Sequence, residues 1–211
     1  MYRIRGIVAL SALAAIFCSA ASAVAQDSTS AARVCLNHPQ PGPTCSVIFL
    51  TNIGGYYRIG GADGSQMRAV ADWGVLVPAG GRSAVGASVF VSLESPQGAV
   101  GAAVRYRHWS KDTKSSWEVA AGLPLYGEHT LAHGLFKWNV SRVVGIAIRP
   151  ELRRTFTYAS YPECLGPPNN CVTHGTSGAV SFGVEIGGVP GLALTAASVV
   201  GLFAAVLGIK D

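Results

Sequence analysis

Two consecutive stretches between Gln66 and Glu94 alternate apolar and polar residues, and a period of two fits a β-strand and excludes an amphipathic helix. In the first, Ala69, Ala71, Trp73, Val75 and Val77 share one face, opposite Arg68, Val70, Asp72, Gly74 and Leu76. In the second, Val85, Ala87, Val89, Val91 and Leu93 lie opposite Ala84, Gly86, Ser88, Phe90, Ser92 and Glu94. Pro78-Ala79-Gly80-Gly81-Arg82 between them carries the flexible, helix-breaking residues of a hairpin turn. One face is nearly all apolar. The other mixes Gly, Ser and Ala with isolated charges of both signs and no Lys, which is too little charge for the exterior of a soluble protein. The pattern predicts a lipid-facing wall backed by a tight polar interior.

The same plan recurs along the chain. An earlier strand runs over 46–60, through Val47-Ile48-Phe49-Leu50 and Tyr56-Tyr57-Arg58, with Gly54-Gly55 marking a bulge. Later strands are predicted at 99–109, 117–125, 134–140, 143–158 and 179–186. Eight strands is an even count, which closes an antiparallel up-and-down barrel over 47–188. Strands of about nine to twelve residues, tilted, cross a hydrocarbon layer. The polar faces then turn Arg68, Asp72, Glu94, Arg105, Arg107, Glu118, Arg149, Glu151, Arg153 and Glu185 into the lumen, where a network of opposite charges fills and stiffens a narrow barrel.

Targeting signals set the compartment. Residues 1–25 carry Arg3 and Arg5, an apolar run from Ile7 to Phe17, and small residues up to Ala25, the three-part pattern of a secretory signal peptide cleaved after Ala25. Its removal lowers the formal charge from +5 to +3, and the remaining cations are scattered rather than gathered into a groove for nucleic acid. Cys35, Cys45, Cys164 and Cys171 remain, an even number in an oxidising compartment, with no zinc-type spacing. Cys35 and Cys45 precede the first strand, in an entry segment over 26–46. Cys164 and Cys171 lie in the loop before the last strand, at the opposite end of a barrel whose apolar band is about 25 Å tall. Disulfide partners need Cα atoms within about 7 Å, so the expected pairs are Cys35–Cys45 and Cys164–Cys171.

With the N-terminus on the periplasmic side, the connections at 78–82, 110–114 and 141–142 are short inner turns, whereas 127–133 and 159–177 are longer outer loops. Tyr57, Trp109, Trp117, Tyr126, Trp138 and Tyr158 collect near strand ends, as an interfacial girdle does. On this layout the span 47–188 resembles the small eight-stranded outer-membrane β-barrels of Gram-negative bacteria. The resemblance implies a monomer in the outer membrane, contacting its lipid, reaching extracellular ligands only through loops, and acting structurally or by interaction. No motif transfers an activity.

Candidate chemistry is sparse. His108 and Ser110 share a face at the end of one strand, with Glu118 on the next, and His-x-Ser is similar to the pattern of outer-membrane lipid A deacylases. Against catalysis, His108 falls at the periplasmic end and Glu118 faces the other side. A lipid-modifying enzyme and a narrow pore are therefore the alternatives to a non-catalytic barrel. His129 and His133 lie in a loop with no third ligand, so neither a metal nor a cofactor is expected.

The tail 189–211 holds about twenty residues without a charge, enough for a membrane-length helix. Ala193, Ala197, Gly201 and Ala205 form a stripe of small residues at spacing four. Three readings stay open: a helix against the barrel wall, a spanning or interfacial anchor, and an extra pair of strands.

Overall fold

A computed structural model of the chain describes residues 33–37, 45–60, 66–94, 97–111, 115–126, 130–141, 143–158 and 172–208. Nine strands are arranged in sequence order in one sheet: β1 (Arg33–Leu36), β2 (Cys45–Gly60), β3 (Gln66–Pro78), β4 (Ser83–Glu94), β5 (Gln97–Trp109), β6 (Ser116–Tyr126), β7 (Thr130–Asn139), β8 (Val144–Tyr158) and β9 (Val172–Ile186). β9 also pairs antiparallel with β2, from Ile53↔Ile186 to Gly60↔Ala179, so β2 to β9 form a closed antiparallel eight-stranded barrel. Closure uses the backbone donors and acceptors that an open edge would leave free. β1 also pairs with β2. The Asn37 amide just beyond it donates to the Phe49 carbonyl at 2.7 Å, on the stretch of β2 that precedes the β9 pairing.

Alternation decides which side chains enter the lumen. On β3 the buried residues are Arg68, Val70, Asp72, Gly74 and Leu76, and on β4 Ala84, Ser88, Phe90 and Ser92. The β3–β4 turn needs positive φ at Gly80 (95°) and Gly81 (57°), which glycine adopts without a Cβ penalty. The two apolar clusters inside the barrel sit at different heights. Cys45, Ile48, Leu50, Leu76, Ala84 and Trp109 fill the near end, where β2 enters and β9 leaves. Tyr56, Val70, Phe90, Leu135 and Ala147 form a belt about midway.

Several element details differ from the sequence expectation. Pairing of β2 with β3 runs without a register shift through Gly54 and Gly55, so there is no bulge there. A methyl on Gly54 would lie 2.8 Å from the Glu185 side chain, and one on Gly183 would run into the Tyr56 ring. These glycines make room for a crossing of side chains, and the strand continues. β7 begins at Thr130, which puts His133 on a strand, and β9 begins at Val172 rather than after 177, because its extra residues pair with β8 up to Tyr158↔Val172. β2, β3, β5, β8 and β9 exceed the nine to twelve residues expected, and the connection over 159–171 is the longest between barrel strands. Trp109 is 1 % exposed and points inward, because its place in the alternation of β5 is odd, with Arg105 and Arg107.

Gly188–Gly208 forms a helix, α1, that packs on β2. Thr51 points outward yet is buried, and its hydroxyl donates to the Gly188 carbonyl at 2.8 Å. The helix turns Gly191 and Thr195 to the wall, while Ala193 and Ala197 are exposed. A side chain on Gly191 would strike the Thr51 carbonyl, so the residue with no Cβ takes the closest approach and the small stripe is rotated from the one read in the sequence. Thr195 returns its hydroxyl to the Gly191 carbonyl at 2.8 Å, which leaves its methyl for the contact. Among the described residues no helix is long and apolar enough to cross a membrane, which says nothing of crossing by strands.

Candidate functional site

The chemistry of the barrel is concentrated in its lumen. β5 alternation sends Arg105 and Arg107 inward one turn of pleat apart, and β6 sends Glu118 to meet both: Arg107↔Glu118 are direct cross-strand partners. Arg107 donates to Glu118 Oε2 from Nε at 2.8 Å and from Nη2 at 2.5 Å. Arg105 donates to Glu118 Oε1 and to Asp72 Oδ2, and its Nε reaches Ser88 Oγ at 2.7 Å. Lys137 on β7 lies 3.8 Å from Glu118 and donates to Glu185 Oε2 at 2.9 Å, and Tyr56 donates its hydroxyl to the other oxygen of Glu185. Three cations thus face three carboxylates, all nearly fully buried. Charges taken out of water at several kcal/mol each persist only when matched in this way.

Below this cluster the chain closes the near end with its own entry segment. The Cys35–Cys45 disulfide joins β1 to the start of β2 across a Cα separation of 5.8 Å. Asn37 follows, at φ 40°, a left-handed conformation that Asn tolerates better than most side chains. It accepts a hydrogen bond from Arg107 Nη2 at 3.0 Å and donates to Asn52 Oδ1 at 3.5 Å. Under it lie Ile48, Leu50, Leu76 and Trp109.

Above the midway belt, Arg68 pairs with Glu151 and contacts Ser92 Oγ at 3.4 Å, and Arg58 pairs with Glu94, which also accepts from Arg153 at 3.1 Å. Arg149 donates to His133 Nε2 at 2.9 Å and lies over the Tyr56 and Phe90 rings. Of the ten charges expected in the lumen, all lie on the inward-facing positions of their strands, and nine take part in the ion pairs just described. Arg149 is the exception, with no carboxylate partner among the described residues. Lys137, Arg58, Tyr56, His133, Asn37 and Asn52 belong to the same interior and were not singled out by charge pattern; alternation of Leu135, Lys137 and Asn139 against Phe136 and Trp138 is the signal that identifies Lys137.

His108, Ser110 and Glu118 are not brought together. Glu118 is inside the barrel, held by Arg105 and Arg107, while His108 points outward. Its Nδ1 lies 3.0 Å from Ser83 Oγ, which is also 2.9 Å from the Tyr106 hydroxyl, and its ring stacks beside Trp117. Among the described residues no carboxylate orients the other nitrogen of His108, so this is a polar contact on the outer wall without the third member of a nucleophilic triad. Trp117, Phe136 and Trp138 line an open apolar depression next to it. Among the described residues no three His, Cys, Asp or Glu side chains could hold a metal. His129, Cys164, Cys171 and residues 1–25 lie outside the described residues. Compared with protein-family models, with curated proteins and with solved structures, the chain matches none.

Proposed function

We propose that the chain is a bacterial outer-membrane β-barrel with a structural or loop-mediated interaction role, exported by a signal peptide cut after Ala25 and monomeric in outer-membrane lipid. One observation carries this reading: the polarity of the wall is inverted relative to a water-soluble protein. Val104, Leu123, Trp138, Ile146 and Val184 face outward and are more than half exposed, whereas Arg105, Glu118, Lys137 and Glu185 face inward and are at most 4 % exposed. An apolar belt of this extent is a liability in water and is satisfied in hydrocarbon. Closure of the sheet supports the same reading, since a membrane tolerates no unpaired strand edge. Tyr57, Trp117, Tyr126 and Trp138 are exposed on the outer wall, where amphipathic rings meet lipid headgroups.

The experiment is cell fractionation combined with a heat-modifiability gel. The expected result is recovery in the outer-membrane fraction with a folded form that migrates apart from the boiled one. Recovery in a soluble fraction, or no mobility shift, refutes the reading. A pore is disfavoured by the balanced ion cluster and the closed near end, and planar-bilayer recording of the purified protein is expected to give no conductance. A lipid-modifying enzyme is disfavoured by the separation of His108 from Glu118, and loss of a hydrolytic activity in Ser110→Ala or Ser83→Ala would revive it.

A further inference from the structure

Arg149 sits in the barrel interior at 2 % exposure, and among the described residues it is the one lumen cation with no carboxylate oxygen within 4.0 Å. Each lumen carboxylate among the described residues is paired with another cation: Asp72 with Arg105, Glu118 with Arg105 and Arg107, Glu185 with Lys137, Glu151 with Arg68, and Glu94 with Arg58 and Arg153. Among the described residues the one side-chain hydrogen bond of Arg149 goes to His133 Nε2, an acceptor only when the imidazole is neutral, so it brings no counter-charge. Its Nη1 has no partner among the described residues. The Tyr56 and Phe90 rings lie 5.6 and 5.4 Å from the guanidinium carbon and provide quadrupole attraction without a negative charge.

A buried ion with no opposite charge is strongly disfavoured, and Arg does not relieve the cost by losing its proton. Neutrality must therefore come from something other than the described side chains. The rings flank the guanidinium, so its N–H edge is the part left to a ligand. Ser181, the direct cross-strand partner of Arg149, adds a buried hydroxyl that also has no protein partner. Tyr56 and Phe90, whose rings lie by the guanidinium, pack with the buried Val70 and Leu135, so these close-packed apolar surroundings admit at most a small species. We propose that Arg149, with Ser181 beside it, forms an internal site for a small inorganic anion of halide size. The site lies in the half of the lumen away from the Cys35–Cys45 disulfide, and its occupant acts as a structural counter-ion. The argument concerns the lumen alone and does not depend on what surrounds the outer wall.

The test uses the full chain, purified and folded in detergent micelles, with bromide as the probe. Halide NMR line broadening should reveal a saturable site, and crystals soaked in bromide should give an anomalous peak within hydrogen-bonding distance of the Arg149 guanidinium. Arg149→Lys, which keeps the charge, should retain the broadening, whereas Arg149→Gln should weaken bromide binding by about tenfold or more. Should Arg149→Gln fail to fold, Ser181→Ala provides the same comparison with a smaller loss. The urea midpoint of the parent should also be higher in sodium bromide than in sodium gluconate at equal ionic strength. No saturable broadening, unchanged broadening in both Arg149→Gln and Ser181→Ala, or an ordered water in place of the anomalous peak would overturn the proposal.

Discussion

Replacing Glu118 by Gln keeps the shape of the side chain and removes its charge, so it isolates the electrostatic contribution of the lumen cluster. Three cations lean on Glu118, yet they do not lose equally. Arg105 keeps Asp72, and Lys137 keeps Glu185. Arg107 keeps only the Asn37 carbonyl oxygen, at 3.0 Å. The substitution therefore strands one fully buried guanidinium, and leaving one member of a buried pair uncompensated costs about 3–5 kcal/mol. Removing the stranded cation as well, in Glu118→Gln with Arg107→Met, should return part of that loss, with a coupling of about 1–3 kcal/mol between the two sites. Urea unfolding of the protein in phospholipid vesicles measures both quantities. Tryptophan fluorescence is a suitable signal, because Arg107 lies 5.8 Å from the ring centre of the buried Trp109. A Glu118→Gln variant within about 1 kcal/mol of the parent, or a double variant equal to the sum of the singles, would refute the view that these charges are mutually required.

Asp at Val104 or Val89 on the outer wall is expected to impair folding into lipid vesicles far more than Asp at Ser88, which lands beside Arg105; equal yields of folded protein on a gel would sink the lipid-facing assignment. Gly183→Ala should push the Tyr56 ring off its contact with Glu185 and cost about 1–3 kcal/mol by overpacking, read from the urea midpoint against a Gly178→Ala control, where a methyl meets nothing. Reducing Cys35–Cys45 should make residues 33–45 accessible to protease while the heat-modifiable folded band persists, since the disulfide joins β1 to β2 and lies outside the ladder that closes the barrel; loss of the folded band would show that the entry segment holds the barrel together. Non-reducing peptide mapping is expected to keep Cys35 and Cys45 apart from Cys164 and Cys171, and any peptide joining the two groups contradicts the topology.

The closed eight-stranded barrel was legible because alternation in β3, β4 and β5 is long and regular enough to assign every residue to a face. Alternation failed where glycine was read as punctuation. Gly54-Gly55 suggested a bulge, and that broke the continuity from Asn52 through Tyr56 to Arg58, so Arg58 was not assigned to the lumen. Gly134 suggested the end of a loop, and His133 went with it. In both places a neighbouring side chain lies over the glycine: the Glu185 side chain against Gly54, and the Pro150 ring against Gly134, 3.1 Å from where a Cβ would stand. The start of β9 was missed for a different reason, since Thr173-His174-Gly175-Thr176-Ser177-Gly178 has the composition of a turn and becomes strand only through pairing with β8. Asn37 could not be found at all. Its role depends on a left-handed backbone and on Arg107, seventy residues away.

The arrangement of the interior also bears on where interaction with a partner can occur. The near end is filled by Ile48, Leu50, Leu76 and Trp109 under Asn37, and the cations and carboxylates of the ion cluster above it are matched in number. The far end differs. Beyond Gly60↔Ala179 and Thr130↔Arg153, the described residues of β8 and β9 pair only with each other, from Arg154↔Thr176 to Tyr158↔Val172. A two-stranded ribbon is marginal alone in water, and among the described residues this one has no neighbouring strand to stiffen it. It extends the wall past the belt of Tyr56 and Phe90 and leads into 159–171, the longest connection of the barrel. On the proposed loop-mediated role, this hairpin is the segment expected to meet a partner. Shortening the ribbon by deleting 155–175 should therefore leave the heat-modifiable band intact while abolishing whatever binding the outer surface supports, and loss of the folded band instead would assign the ribbon to barrel stability.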